Sequence, residues 1–309
     1  MASKKYRLVT RSDFDGLVCA VLLKEMDLIE EIKFVHPKDM QDGKIAITSS
    51  DITTNLPYVE GVYLAFDHHA SEKLRVGAKD NHIILTEAPS AARVVYEYYG
   101  GKKTFPRIGD DLMDAVDKSD SAQFTQEEIL HEAGWPLLNY LMDSRTGLGR
   151  FREFSISNYD LMMKLIDYCR NHTIAEILAL PDVKERVDLY FEHLVKAVDQ
   201  IRRCADVHGN LVVLDLRGEE TIWPVNRFKI YAMYPSCNIS IHVLWGVQKQ
   251  NTVFAIGKSI LNRASKTHVG ELCLAHGGGG HNAAGTMQVD NDTADATLKD
   301  VIARITADG

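Results

Sequence analysis

The sequence predicts an α/β protein: an N-terminal domain on a doubly wound, mainly parallel sheet, a smaller C-terminal α/β domain with a mixed sheet, and an active-site cleft between them. Three observations carry that expectation. Short apolar runs alternate with helical patterns through the first half of the chain, the signature of βα units. Several of those runs break off into carboxylates or imidazoles, and open α/β sheets place their ligands at the carboxyl ends of strands. A long amphipathic segment from Pro181 then leads into a stretch of alternating strands. The expected divisions are residues 1–180, a linker helix over 181–206, and a second domain over 207–309. At 309 residues the chain exceeds the roughly 250 to 300 at which a single core stops growing.

Lys5 to Thr10 reads as the first strand and runs into Arg11-Ser12-Asp13-Phe14-Asp15-Gly16, followed by a helical pattern from Leu17 to Met26. Strand, tight polar turn and helix aim turn side chains at a ligand near a helix N-terminus. Asp13 and Asp15 bracket Phe14, so both carboxylates face one way in an extended turn; an Asx turn with a capping aspartate gives the same pattern. Glu31 to His36 reads as the next strand. Lys44 to Ser50 alternates apolar residues and ends in Asp51, which is expected at the carboxyl end of a strand or as the cap of the turn that follows. Val62 to Phe66 is a buried strand that stops at Asp67-His68-His69, and His82 to Leu85 is a further short one. Neighbouring side chains on a strand point to opposite faces, so the two imidazoles can hold different partners, a metal and a substrate anion.

Ser90 to Tyr99 reads as a helix stopped by Gly100-Gly101. Beyond Phe105 the pattern is helical again, with Asp114, Asp117 and Asp120 at intervals of three. Most of these aspartates are expected on a solvated face. Asp120, at the break before Ser121, is best placed to turn into a site, and Asp117, one turn earlier, is the reserve. Helices are expected over Gln126 to Met142 and Ile156 to Arg170, joined by an Arg- and Gly-rich connector that is either solvated or phosphate-contacting. In the second domain Asn210 to Leu216, Cys237 to Val247 and Val253 to Gly257 read as strands. A basic segment with Arg263 and a helix from His268 to Ala275 then lead to Gly277-Gly278-Gly279-Gly280-His281. Glycines remove the Cβ atoms that keep a ligand away, and their successive N–H groups can form an anion nest; a flexible loop is the plain alternative.

Composition narrows the function. A formal net charge of −8 argues against a basic surface for long duplex DNA. No apolar run approaches the roughly 18 residues of a membrane helix, and no signal-like stretch follows the first residues, so a cytoplasmic protein without membrane contact is expected. Five scattered cysteines without a CxxC pair argue against a disulfide framework and against a thiolate zinc site. Asp13, Asp15, Asp51, His68 and Asp120 instead offer hard oxygen donors with one imidazole, which suits Mn²⁺ or Mg²⁺. Two such ions about 3.5 to 4 Å apart, with Asp51 as the expected bridge, activate water and steady the leaving oxygen of a phosphoryl group. His69 is then left to bind phosphate and Asp67 to orient an imidazole.

Asp13-Phe14-Asp15-Gly16, Asp51, Asp67-His68-His69, Asp120 and Gly277-Gly278-Gly279-Gly280-His281 stand in the order and rough spacing of the DHH phosphoesterases with their DHH-associated C-terminal domain, a family that the whole chain resembles. The resemblance implies a metal-dependent hydrolase of phosphodiester or phosphomonoester bonds in short oligonucleotides or small nucleotides. It implies Mn²⁺, with two ions and with Mg²⁺ or Co²⁺ as substitutes. Asp13, Asp15, Asp51, His68 and Asp120 (or Asp117) resemble the metal ligands and His69 the phosphate-binding histidine, while Arg263 and Gly277 to His281 resemble the substrate-binding part. One departure stands out: many relatives carry a histidine a few residues ahead of the first Asp-x-Asp, where this chain has Leu8-Val9-Thr10-Arg11. That loss is expected to weaken one metal position and leaves Arg11 to contact phosphate or neutralise carboxylates. Exopolyphosphatase or pyrophosphatase activity, and a non-catalytic nucleotide-binding module, are the competing readings; a homodimer is compatible with the sequence.

Overall fold

The computed structural model describes residues 4–151 and 153–309, which form two compact units. The first runs through Gln123 and adds Ala133–Ser144 and Gly149–Asp188; the second comprises Phe124–Glu132, Arg145–Leu148 and Leu189–Gly309. The division expected at residue 180, with a separate linker, therefore takes a different form. The helix over Pro181–Cys204 is continuous and contributes to both units, and two short segments upstream of it belong to the second. Among the described residues, no helix is long and apolar enough to cross a membrane.

The first unit follows a βα rhythm: β1 (Tyr6–Arg11), α1 (Phe14–Glu25), β2 (Ile29–Val35), α2 (Pro37–Gln41), β3 (Asp51–Thr54), β4 (Leu64–Asp67), α3 (Ala70–Val76), β5 (His82–Ile84), α4 (Ala91–Tyr98) and α5 (Asp110–Asp120). The strands form a parallel sheet in the order β2-β1-β3-β4-β5. Leu8, Val9 and Thr10 are fully buried, as a central strand covered on both faces demands. Helix α1 is apolar on every side, and Leu17 to Leu23 have no exposed surface, so it lies inside the core rather than on it. It begins three residues before the expected start because the Asp13 side chain caps it by accepting from the Gly16 N–H. A Cβ on Gly16 would run into the Arg11 carbonyl, so only glycine lets the turn fold this tightly onto the end of β1.

The sheet order reverses between β1 and β3, where connections leave in opposite directions and a crevice opens beyond the strand ends. Thr10 pairs with Thr54 there, and their hydroxyls lie 2.6 Å apart in the buried interior. The residues that follow, Arg11 to Asp13 on one side and Asn55 on the other, flank the crevice. Here the structure corrects the expectation for Asp51. Residues 44–50 are irregular; Ile45 and Ile47 pack on a small cluster with Val9, Val35, Met40 and Leu56, which gives the apolar alternation without a strand. Asp51 is the first residue of β3, paired in register with Arg7, at the end of the sheet away from the crevice.

Helix α6 (Gln126–Leu130) belongs to the second unit and α7 (Gly134–Met142) to the first, where a single helix was expected; the chain breaks at Gly134, whose φ is 56°. Helices α8 (Asn158–Asn171) and α9 (Ile174–Ala179) complete the first unit together with the start of α10 (Pro181–Cys204).

The second unit carries β6 (Ala205–His208), β7 (Leu211–Asp215), α11 (Lys229–Met233), β8 (Ile239–Trp245), β9 (Thr252–Lys258), α12 (Val269–Ala275), β10 (Gly279–His281), β11 (Ala284–Val289) and α13 (Asn291–Asp308). Its sheet runs β10-β11-β9-β8-β7-β6, antiparallel except between β7 and β8, and is thus the expected mixed sheet. Alternate residues Ile239, Ile241 and Val243 share one core with Val269, Leu272, Val301 and Ile305 of α12 and α13.

Candidate active site

The carboxyl ends of β1 and β4, with the end of α5, bring three ligand side chains together. Asp15, His68 and Asp120 each present a donor atom within 4.8 Å of the others. The Asp15 carboxylate is buried and accepts the Ala91 and Ala92 N–H groups at 3.0 and 2.7 Å, so the N-terminus of α4 holds it in place. His68 Nδ1 lies 3.1 Å from the Ala88 carbonyl, and its Nε2 lies 2.9 Å from an Asp120 oxygen. Donation from Nδ1 to a carbonyl leaves Nε2 as the ligand atom, the usual support for a metal-bound imidazole.

The electrostatics are those of crowded anions. Burial pushes the Asp15 carboxyl well above its ordinary range, and the neighbouring Asp120 and Asp13 charges push it further. For His68, burial favours the neutral ring, but the Asp120 contact and the Asp120 and Asp15 charges outweigh it and raise the pKa to about 9. Hard oxygen donors, one oriented imidazole and mutual repulsion among carboxylates fit a divalent cation.

Beside this trio, Asp67 and His69 form a second arrangement. Asp67 Oδ1 lies 2.7 Å from His69 Nδ1 and also accepts the His68 N–H, while its Oδ2 is buried with no hydrogen-bond partner among the described residues. His69 is 44% exposed at its side chain, whereas Asp67 is 1% exposed, so a buried carboxylate orients an accessible imidazole. Arg11 Nε lies 2.8 Å from Asp13 Oδ2. Arg11, Asn55, Asp67 and His69 line a pocket of about 150 Å³ with Pro37 and Gln41. A larger cavity of about 510 Å³ is lined by Gly149, Phe151, Phe154 and Ser155 to Asn158, with no carboxylate or imidazole among the described lining residues.

Asp51 does not join the cluster. Its carboxylate binds Arg7 through both oxygens at 2.7 and 3.0 Å and accepts the Thr48 N–H at 2.6 Å. The residue at the carboxyl end of β3 is Asn55, whose Nδ2 lies 3.4 and 3.5 Å from the two Asp13 oxygens. Asp117 is likewise elsewhere, bound to Arg93 at 2.6 and 2.8 Å and to the Ser90 hydroxyl at 2.7 Å. Asn55 escaped the sequence reading, although it directly follows the β-branched run Ile52-Thr53-Thr54. Phe14 and Tyr231 are core residues: Phe14 packs on Trp135, and the Tyr231 hydroxyl binds Ser240 and Gly257.

In the second unit, the glycine run is only partly a loop. Gly279 to His281 form β10 and pair with β11. A Cβ on Gly278 would meet Thr286 and Met287, and one on Gly280 would meet Ala284 and Gly285, so the close hairpin accounts for both glycines. Gly277 has a φ of 76°, and a Cβ on Gly279 would meet open space. His281 is exposed, with Nδ1 3.1 Å from the Ala284 carbonyl, and Arg263 Nε donates to the Ile260 carbonyl at 3.1 Å.

No protein-family model and no curated protein matches the chain. Among solved structures, a pGpG-specific phosphodiesterase, PggH from Vibrio cholerae, is 62% identical with a TM-score of 0.91, over 99% of this chain and 100% of that one. RecJ from Thermus thermophilus in complex with Mn²⁺ is 14% identical with a TM-score of 0.53, over 98% of this chain and 52% of that one. An exonuclease RecJ bound to manganese is 13% identical with a TM-score of 0.51, over 99% and 91%. The RecJ likenesses show a shared fold, whereas the identity to the phosphodiesterase extends along the full length of both chains. The chain belongs to the DHH family of phosphoesterases.

Proposed function

We propose that this protein is a divalent-metal-dependent phosphodiesterase that hydrolyses the linear dinucleotide pGpG. The observation that carries the reading is the meeting of Asp15, His68 and Asp120 within 4.8 Å at the end of a parallel sheet, in a chain 62% identical to a pGpG-specific phosphodiesterase. In this proposal Asp15, His68 and Asp120 hold the cation, with Mn²⁺ preferred and Mg²⁺ or Co²⁺ able to replace it. When bound, such an ion supplies Lewis acidity toward a phosphoryl oxygen and lowers the pKa of an attacking water.

The remaining roles fall to the protein's own groups. Asp67 fixes the His69 ring by accepting from Nδ1, and His69 lines the pocket, where the doubly protonated ring donates from Nε2 to a phosphoryl oxygen. Arg11, on the same pocket wall, adds a permanent positive charge beside the phosphate. In the second unit, Arg263, His281 and the Gly277 to Gly280 backbone are proposed as substrate-binding groups. The acidic net charge of −8 fits a short substrate gripped at its ends better than a long polyanion.

The test is GMP release from pGpG with Mn²⁺, against a panel of other di- to pentanucleotides, 3'-phosphoadenosine 5'-phosphate, cyclic dinucleotides and polyphosphate, with His68→Ala and Asp120→Ala as blanks. Turnover of pGpG that both substitutions abolish is the expected result. Turnover of polyphosphate with none of pGpG would overturn the dinucleotide reading.

A further inference from the structure

Asp13 stands across the crevice from Asn55, and groups of its own chain already match its charge. Its Oδ2 lies 2.8 Å from the Arg11 guanidinium, and its Oδ1 accepts the Gly16 N–H at 2.9 Å. The Asn55 amide approaches both oxygens. Asn55 itself is 2% exposed and held at a φ of 53°, a left-handed conformation that asparagine tolerates, with its Oδ1 buried and without a hydrogen-bond partner among the described residues. Two ions held close together repel each other, which a bridging carboxylate would relieve, and the facing position here is the neutral carboxamide of Asn55. The strand end that would supply a further imidazole supplies Arg11 instead. Asp67, His68 and His69 also bring donor atoms within 4.8 Å of one another, but His68 already belongs to the first trio, and Asp67 Oδ1 is engaged by the His69 ring and the His68 N–H.

We propose that the site takes one divalent cation, on Asp15, His68 and Asp120, and that the Arg11 guanidinium stands in for a second. The expectation of two ions is thereby replaced. This rests on the metal-dependent phosphoesterase reading and deepens it. Arg11 neutralises Asp13 in the free protein, and it lines the pocket with Asp67 and His69, so its remaining N–H groups are placed for a phosphoryl oxygen. A guanidinium serves this role at any metal concentration, since it does not dissociate and does not lose its proton in the physiological range.

The experiment counts ions. Mn²⁺ binding is measured by equilibrium dialysis with metal analysis, and by electron paramagnetic resonance, on the wild-type chain, Asn55→Asp and the double variant Arg11→Met, Asn55→Asp. One Mn²⁺ per wild-type chain, with the spectrum of an isolated ion, is expected. The double variant is expected to take up a second ion and to show the spectrum of a coupled pair. Two ions in the wild type would overturn the single-cation proposal while leaving the metal-dependent reading intact. No bound ion in the wild type would overturn both. A double variant that keeps its fold by circular dichroism yet stays at one ion would overturn the roles given to Arg11 and Asn55.

Discussion

His68 Nε2 lies 2.9 Å from an Asp120 oxygen, while Nδ1 of the same ring faces the Ala88 carbonyl at 3.1 Å. The ring is thus fixed at one end by backbone and aimed at carboxylates with the other. Removing a direct ligand costs more than the roughly 10- to 100-fold loss in metal affinity that follows from removing an outer partner. We therefore expect His68→Ala and Asp120→Ala each to lose more than about 100-fold in Mn²⁺ affinity by titration calorimetry. Asp117→Asn, which frees Arg93 but leaves the cluster in place, is expected to keep its affinity. The reverse ordering of Asp117 and Asp120 would reassign the ligand.

Asp51 gives a contrasting prediction. Burial pushes its carboxyl pKa up, but the Arg7 and Thr48 hydrogen bonds outweigh that and hold it below the ordinary value. A group whose folded-state pKa is depressed contributes stability above its unfolded pKa and loses it as pH falls through the folded value. The contribution is therefore full at neutral pH and vanishes in acid, below the ordinary carboxylate range. Asp51→Asn is expected to lose about 1 to 3 kcal/mol at pH 7. Denaturant titration should show this gap closing in acid, with Mn²⁺ affinity at pH 7 unchanged; a collapse of affinity in the still-folded variant would return Asp51 to the metal centre.

The contrast between Asp51 and Asn55 shows what was legible in the sequence. The nearness of Asp15, His68 and Asp120 was readable because each follows a strong periodic run, whereas Asp13 caps α1 and pairs with Arg11. Asp51 misled because Ile45 and Ile47 alternate as a strand would, while in fact they pack as an irregular segment on Met40 and Leu56. Asn55 was invisible to a search for charged ligands, although its position after Ile52-Thr53-Thr54 was the better strand-end signal. Phe124 to Glu132 joins the second unit through contacts distant in sequence, among them Phe124 on Phe228 and Glu132 with Asn226 and Lys229, which leave no periodicity. The glycine run was read for its anion-binding capacity, whereas Gly278 and Gly280 answer to backbone crowding in a hairpin.

Those long-range contacts can be tested directly. Glu132 is 1% exposed at its side chain and Lys229 3%, with Lys229 Nζ 2.6 Å from the carboxylate. The same Glu132 oxygen accepts from the Tyr190 hydroxyl and the Asn226 amide, both at 2.9 Å. Lys229→Met leaves a buried carboxylate without its cation, a change that costs about 3 to 5 kcal/mol. Urea denaturation followed by the fluorescence of the second unit's tryptophans should show a loss of that size; a change within experimental error would mean that the pair contributes no net stability.

Gly279 and Gly280 separate packing from binding. A Cβ on Gly280 would collide with the Ala284 and Gly285 backbone, so Gly280→Ala is expected to cost about 1 to 3 kcal/mol through overpacking. Gly279→Ala meets open space and should leave stability unchanged. A raised KM for pGpG in Gly279→Ala, with unaltered thermal unfolding, would come from crowding of a bound ligand. An unaltered KM would remove Gly279 from the proposed substrate contacts.

Asp67 is the positioning residue whose effect is easiest to tell from a structural one. Its Oδ1 takes both the His69 Nδ1 contact at 2.7 Å and the His68 N–H at 2.9 Å, so the carboxylate sets the ring and the backbone together. An asparagine keeps the shape, and its oxygen can still accept from the backbone. It does not stabilise a charged His69, however, and its amide can force the wrong tautomer. Loss of such an orienting carboxylate lowers kcat by on the order of 10² to 10⁴ where the imidazole transfers or holds a proton. Asp67→Asn should therefore lower kcat by at least the smaller of these factors and shift the pH-rate profile, with Mn²⁺ stoichiometry unchanged. If the rate falls while the shape of the pH profile stays that of the wild type, His69 does not act through its proton, and Asp67 serves only to hold the loop.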